Sequence, residues 1–143
     1  MIDSTSVRIL YPLFAMFVLV AIVLLRMRSM RFAAVRSGAV SADFYRAFAD
    51  GVEPEPLRVV ARHYANLFEM PVLFYVGVIL TFVTAHVSGW MIGLAWAYVA
   101  LRYAHSFVHL TSNHVITRFA LYLASAFVLA LLWGTLFVRL LHT

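Results

Sequence analysis

Three groups of polar residues stand inside otherwise apolar stretches of this chain, and their spacing is helical. Arg62, Asn66 and Glu69 form the first; Arg102, His105 and His109 the second, with Tyr98 a turn earlier; Arg118, Tyr122 and Ser125 the third. At about 100° per residue each group falls within about 60° of arc, so each gives a helix one polar stripe. Guanidinium, amide and imidazole groups gathered in this way recognise anions, because a fixed fork of N–H donors matches carboxylate and phosphate oxygens. With Arg26 included, four guanidinium groups face one carboxylate, Glu69. One carboxylate cannot neutralise four cations, and an anionic ligand, a peptide carboxylate or a lipid phosphate, is the natural missing partner. The plainer reading pairs Glu69 with Arg62 or Arg102 and lets Arg26 and Arg118 snorkel to headgroups.

The elements that must carry these stripes are membrane helices. The 143 residues are 64% hydrophobic and 12% charged, well outside the balance of a soluble domain. At about 20 residues per span, four spans with short loops use most of the chain, so one domain is expected. The fold class expected is an all-α integral membrane four-helix bundle, with helices near 7–29, 57–86, 90–110 and 115–141. The apolar run from Ile9 to Leu25 is followed by Arg26, Arg28 and Arg31, the reverse of a cleaved leader, whose charges come first. Residues 30–56 make a long connection in which Ser41 can cap a short surface helix, Asp43 suits its first turn, Phe44 and Phe48 share a face, and Gly51 can end it. Pro54 and Pro56 open the second membrane helix, and Pro71 is expected to kink it just beyond Glu69. Gly89 and Gly93 have the small-xxx-small spacing that lets helices approach.

All eleven basic residues are Arg, and they sit at the ends of apolar runs rather than in one patch, which speaks of membrane orientation and excludes a nucleic-acid surface. The positive-inside rule places loops 30–56 and 111–114 in the cytoplasm and both termini outside, and if the source is bacterial the membrane is the inner, cytoplasmic one. Depth bookkeeping then puts Arg26, Arg62, Asn66, Glu69, Arg102, His105, His109 and Arg118 at one cytoplasmic level. The absence of cysteine excludes disulfides, thiolate metal sites and a protein-borne thiol nucleophile, so any thiol chemistry arrives with a ligand.

Arg62-x-x-x-Asn66-x-x-Glu69-x-Pro71, in the second of four expected helices, resembles the signature of the membrane-associated proteins in eicosanoid and glutathione metabolism, the MAPEG family. The resemblance covers most of the chain. It implies a homotrimer with glutathione as cosubstrate between subunits, membrane lipid around it, and a lipophilic small molecule as second substrate of a glutathione transferase or peroxidase. It implies glutathione contacts at Arg26, Arg62, Asn66, Glu69, Arg102 and His109. Arg118 takes the place of the helix-four Arg that stabilises the thiolate, the catalytic role. A thiol of ordinary pKa near ~8.5 becomes a better nucleophile when a fixed guanidinium favours its anion. The chain departs from the pattern at Met70, His109 and Phe119, where family enzymes carry hydroxyl groups.

Two other classes stay open. A non-catalytic membrane protein would use the same cationic pocket for lipid or a partner subunit. His105 and His109, at i and i+4, with Glu69 also have the donor types of a divalent metal site, and either imidazole is of the type that ligates haem.

Overall fold

The computed structural model describes residues 4–47 and 52–142. Among these the chain is all helix: α1 Ser4–Val7, α2 Leu10–Arg36, α3 Ala42–Ala47, α4 Glu55–Asn66, α5 Met70–Val83, α6 Gly89–Leu110 and α7 Val115–Leu141. Apolar residues face both ways. Met16, Leu19 and Val23 of α2 meet Phe74 and Val78 of α5, Met91, Leu94 and Tyr98 of α6, and Leu129, Leu132 and Leu136 of α7 in one buried cluster. On the outside, Phe14, Phe17, Leu25, Phe127 and Phe137 are each more than 60% exposed. Such a surface would aggregate in water and is at home in hydrocarbon.

Three helical segments are long and apolar enough to cross a membrane: Leu10–Arg36, Glu55–Val83 and Val115–Leu141. Residues 90–110, expected as a further span, lie in helix α6, 22 residues long, which does not share their apolar character. The reason is its inward stripe: Arg102, His105, Ser106 and His109 are all buried against neighbouring helices. Helix α6 packs on α7, α2 and α4, so its polar groups are shielded by protein.

The first long helix runs to Arg36, past the expected end at 29, because nothing in Ser29–Arg36 breaks helical backbone. It stops where Gly38 adopts φ +74°, with the amide of Gly38 closing on the Val35 carbonyl and that of Val40 on Ala34. Helix α3 begins at the expected cap: Ser41 Oγ accepts from the Phe44 amide at 3.2 Å. Phe48 and Gly51 lie outside the described residues. Arg31 Nε donates to Glu53 Oε1 at 3.1 Å, tying the end of this connection back onto α2.

The second segment, expected as one helix over 57–86, is two. Helix α4 ends at Asn66 and α5 restarts at Met70. Proline at 71 has no N–H for the carbonyl of residue 67, and its ring crowds that turn. The chain bridges the gap with tight bonds, Phe68 N to Ala65 O at 2.9 Å and Glu69 N to Asn66 O at 3.3 Å. Gly89 and Gly93 bring no helices together within this chain: a Cβ at either would meet open space. The close approach is at Gly77, where an added Cβ would stand 2.9 Å from Leu132 Cδ2 and 3.2 Å from Trp133 Nε1, because α5 lies against α7 there.

Candidate anion-binding site

The break at Leu67–Glu69 shapes one wall of the site. With the helix interrupted, the Glu69 side chain turns back to Asn66, whose Nδ2 donates to Glu69 Oε2 at 2.9 Å. The other end of that amide faces α6, where Arg102 Nη1 donates to Asn66 Oδ1 at 3.3 Å. Arg102 is fully buried, its Nε donates to the Tyr98 hydroxyl at 3.0 Å, and its guanidinium carbon lies 5.5 and 5.3 Å from the ring centres of Tyr98 and Tyr122. Two aromatic faces and an amide are weak compensation for a buried cation. Its Nη2 is buried without a hydrogen-bond partner.

Among the described residues the ion pairs are Arg31–Glu53 and Arg46–Asp43. Glu69 thus takes an amide rather than the guanidinium of Arg62 or Arg102, and the cationic surplus is left without internal neutralisation. The opposite wall comes from α6 and α7. Arg118 Nη1 lies 3.2 Å from His109 Nε2 and donates to Asn113 Oδ1 at 2.6 Å, a geometry made possible by the left-handed Asn113 (φ 49°) in the turn. His105 Nδ1 meets the Arg118 carbonyl at 3.0 Å.

Between these walls lies a cavity of about 510 Å³ lined by Arg62, Asn66, Glu69, His105, His109 and Arg118, with Phe119 and Tyr122 at its apolar side. The structure therefore brings together Arg62, Asn66, Glu69, His109 and Arg118, and sets Arg102 directly behind Asn66. It leaves Arg26 apart. That residue is exposed, and its Nη2 donates to the Leu110 carbonyl at 3.2 Å, at the same level as the pocket but on another face. Met70 lies beside the break, half-buried against the core, and Phe119 is 60% exposed.

A polar site with this motif at these positions can be placed among known proteins: residues 9–138 match the model of the MAPEG family. The chain belongs to the MAPEG family. Membership, with the three apolar helices, makes it a membrane protein. No curated protein and no solved structure matches it.

Two residues of this MAPEG chain escape a reading of the motif. His63 is fully buried and its Nε2 lies 2.9 Å from Ser106 Oγ, whose own hydrogen goes to the Arg102 carbonyl at 2.8 Å. A signal was present: Leu57, Val60, His63 and Leu67 fall within about 120° of one another on a helical wheel, so His63 occupies a position on the apolar stripe. A histidine there needs partners, and Ser106, a turn after Arg102, supplies one.

Proposed function

We propose that the cavity binds glutathione, or a similar anionic thiol, on the cytoplasmic side of a multi-pass membrane protein whose termini face outward. In this reading four helices cross the membrane, three copies assemble, and each pocket is completed by a neighbouring subunit whose Arg26 reaches it from the free face of α2. The single observation that carries it is the convergence of Arg62, Arg118 and the Asn66–Glu69 pair on one cavity, with an under-partnered Arg102 behind. Carboxylates of the peptide offset guanidinium charge, Glu69 suits an ammonium, and the thiol sulfur lies within reach of Arg118.

Reaction follows from charge. Arg118 favours the thiolate over the thiol, and the thiolate attacks a lipophilic substrate that arrives through the apolar side near Phe119 and Tyr122. At an electrophilic carbon a C–S bond forms as the leaving group departs; at a peroxide the O–O bond breaks, oxidising the sulfur to a sulfenic acid and releasing the alcohol. His109 and Asn113 hold Arg118 in place from behind. Purified protein should bind glutathione by calorimetry, and Arg62→Ala should weaken it about tenfold, the loss of roughly 1.4 kcal/mol of charge-assisted contact. No heat at millimolar thiol sinks this reading.

A second reading rests on one observation: Arg118 is already engaged by protein groups on two sides. A non-catalytic member would keep that arrangement and use the cationic pocket for lipid or a partner. Turnover of a model electrophile that disappears in Arg118→Ala eliminates it; binding without turnover in the wild type favours it.

A further inference from the structure

His63, His105 and His109 form a three-imidazole cluster behind the pocket. One ring nitrogen from each lies within 4.8 Å of the others, and all three side chains are at least nine-tenths buried. Ring centres stand 5.7, 4.6 and 5.6 Å apart for the pairs 63–105, 63–109 and 105–109. The sequence pairs His105 and His109 with Glu69; the fold instead gives Glu69 to Asn66 and brings His63 of α4 as the third imidazole.

The hydrogen bonds assign the tautomers. The Arg118 carbonyl only accepts, so His105 carries its proton on Nδ1 and leaves Nε2 as a lone pair. Ser106 Oγ gives its hydrogen to the Arg102 carbonyl, so it accepts from His63 Nε2–H, and His63 Nδ1 is a lone pair. That Nδ1 is buried with no partner, and so is Nδ1 of His109. Two rings thus donate one N–H to an oxygen and present the other nitrogen unprotonated, the arrangement in which outer partners orient imidazoles on a metal.

We propose that these three histidines hold a zinc-type divalent transition metal, with a fourth position open to the adjoining cavity, which His105 and His109 line. Three neutral imidazoles with one open position is a recurrent zinc coordination. Two consequences follow from charge. Arg62, Arg102 and Arg118 oppose a dication, so the metal enters with an anionic fourth ligand, hydroxide, chloride or a thiolate. Metal on His109 Nδ1 puts the remaining proton on Nε2, which then no longer accepts from Arg118, so occupancy releases Arg118 from His109.

The experiment uses tag-free chain in detergent, stripped with chelator and titrated with cobalt(II), a spectroscopic stand-in for zinc. The expected result is one cobalt per chain with intense visible bands of four-coordination, displaced by zinc, and at least tenfold weaker binding in His63→Asn. His63 does not line the cavity, so glutathione binding by His63→Asn persists, and a failure of the metal proposal is distinct from a failure of the thiol pocket. Exposed His114 and His142 are the adventitious sites; His114→Ala with His142→Ala leaves the spectrum unchanged. No uptake, weak six-coordinate bands, or equal binding by His63→Asn overturns the proposal. If His63→Asn does not fold, the wild-type spectrum alone decides.

Discussion

Arg102 shows at the scale of one side chain how a charge is tolerated inside this protein. Its guanidinium has no carboxylate, and its stabilisation is divided between the Tyr98 hydroxyl, the Asn66 carbonyl oxygen and two aromatic faces. Removing the hydroxyl leaves Nε without its acceptor in a buried site. Tyr98→Phe should therefore lower stability by about 1–3 kcal/mol while leaving the packing of the ring on Phe74 in place. Thermal unfolding in detergent checks this, and an unchanged midpoint would show that water takes over the hydroxyl's role. The sequence placed Arg102 and Tyr98 on one stripe from their i, i+4 spacing. It could not show that Glu69 would turn to Asn66, because that choice depends on the backbone at the break.

At the scale of elements, two short sequence features set the geometry. Pro71 divides the second segment, and the division lets Asn66 face α6 while Glu69 stays beside the cavity. Gly77 lets α5 lie on α7 closely enough for Trp133 Nε1 to donate to the Leu73 carbonyl at 3.1 Å. Gly77→Val should push Leu132 and the Trp133 indole away at a cost of about 1–3 kcal/mol, seen as lower thermal stability and a shifted tryptophan emission. Wild-type stability in Gly77→Val would mean that α5 and α7 separate easily. The glycines singled out by spacing, Gly89 and Gly93, have no such neighbour within the chain. A small-xxx-small pattern records an opportunity for close packing, and only the positions of other helices decide where it is used.

For the whole molecule, orientation in the membrane is the property most open to test, since the chain has no cysteine to interfere. Ser37→Cys, at the end of α2, should react with a membrane-impermeant maleimide only from the cytoplasmic side. Val87→Cys, in the connection between α5 and α6, should react only from the opposite side. The reverse pattern would put the proposed pocket on the outer face, away from cytosolic glutathione. The structure keeps the polar level together across elements: Arg26 reaches the end of α6, Arg102 reaches α4, and Arg118 reaches His109.

By itself the sequence determined the helical, membrane-embedded character of the protein and its family signature. These follow from local composition and the period of a helix, which one segment contains entire. Tertiary structure decided which polar groups meet. His63 reads as one more residue on an apolar stripe until α6 brings Ser106, His105 and His109 against it. Arg26 shares the level of Arg62 and Arg118, yet α2 turns it to another face. Rotation of one helix about its axis relative to the next costs nothing that a single segment records; it is settled by packing between segments, and with it the membership of the site.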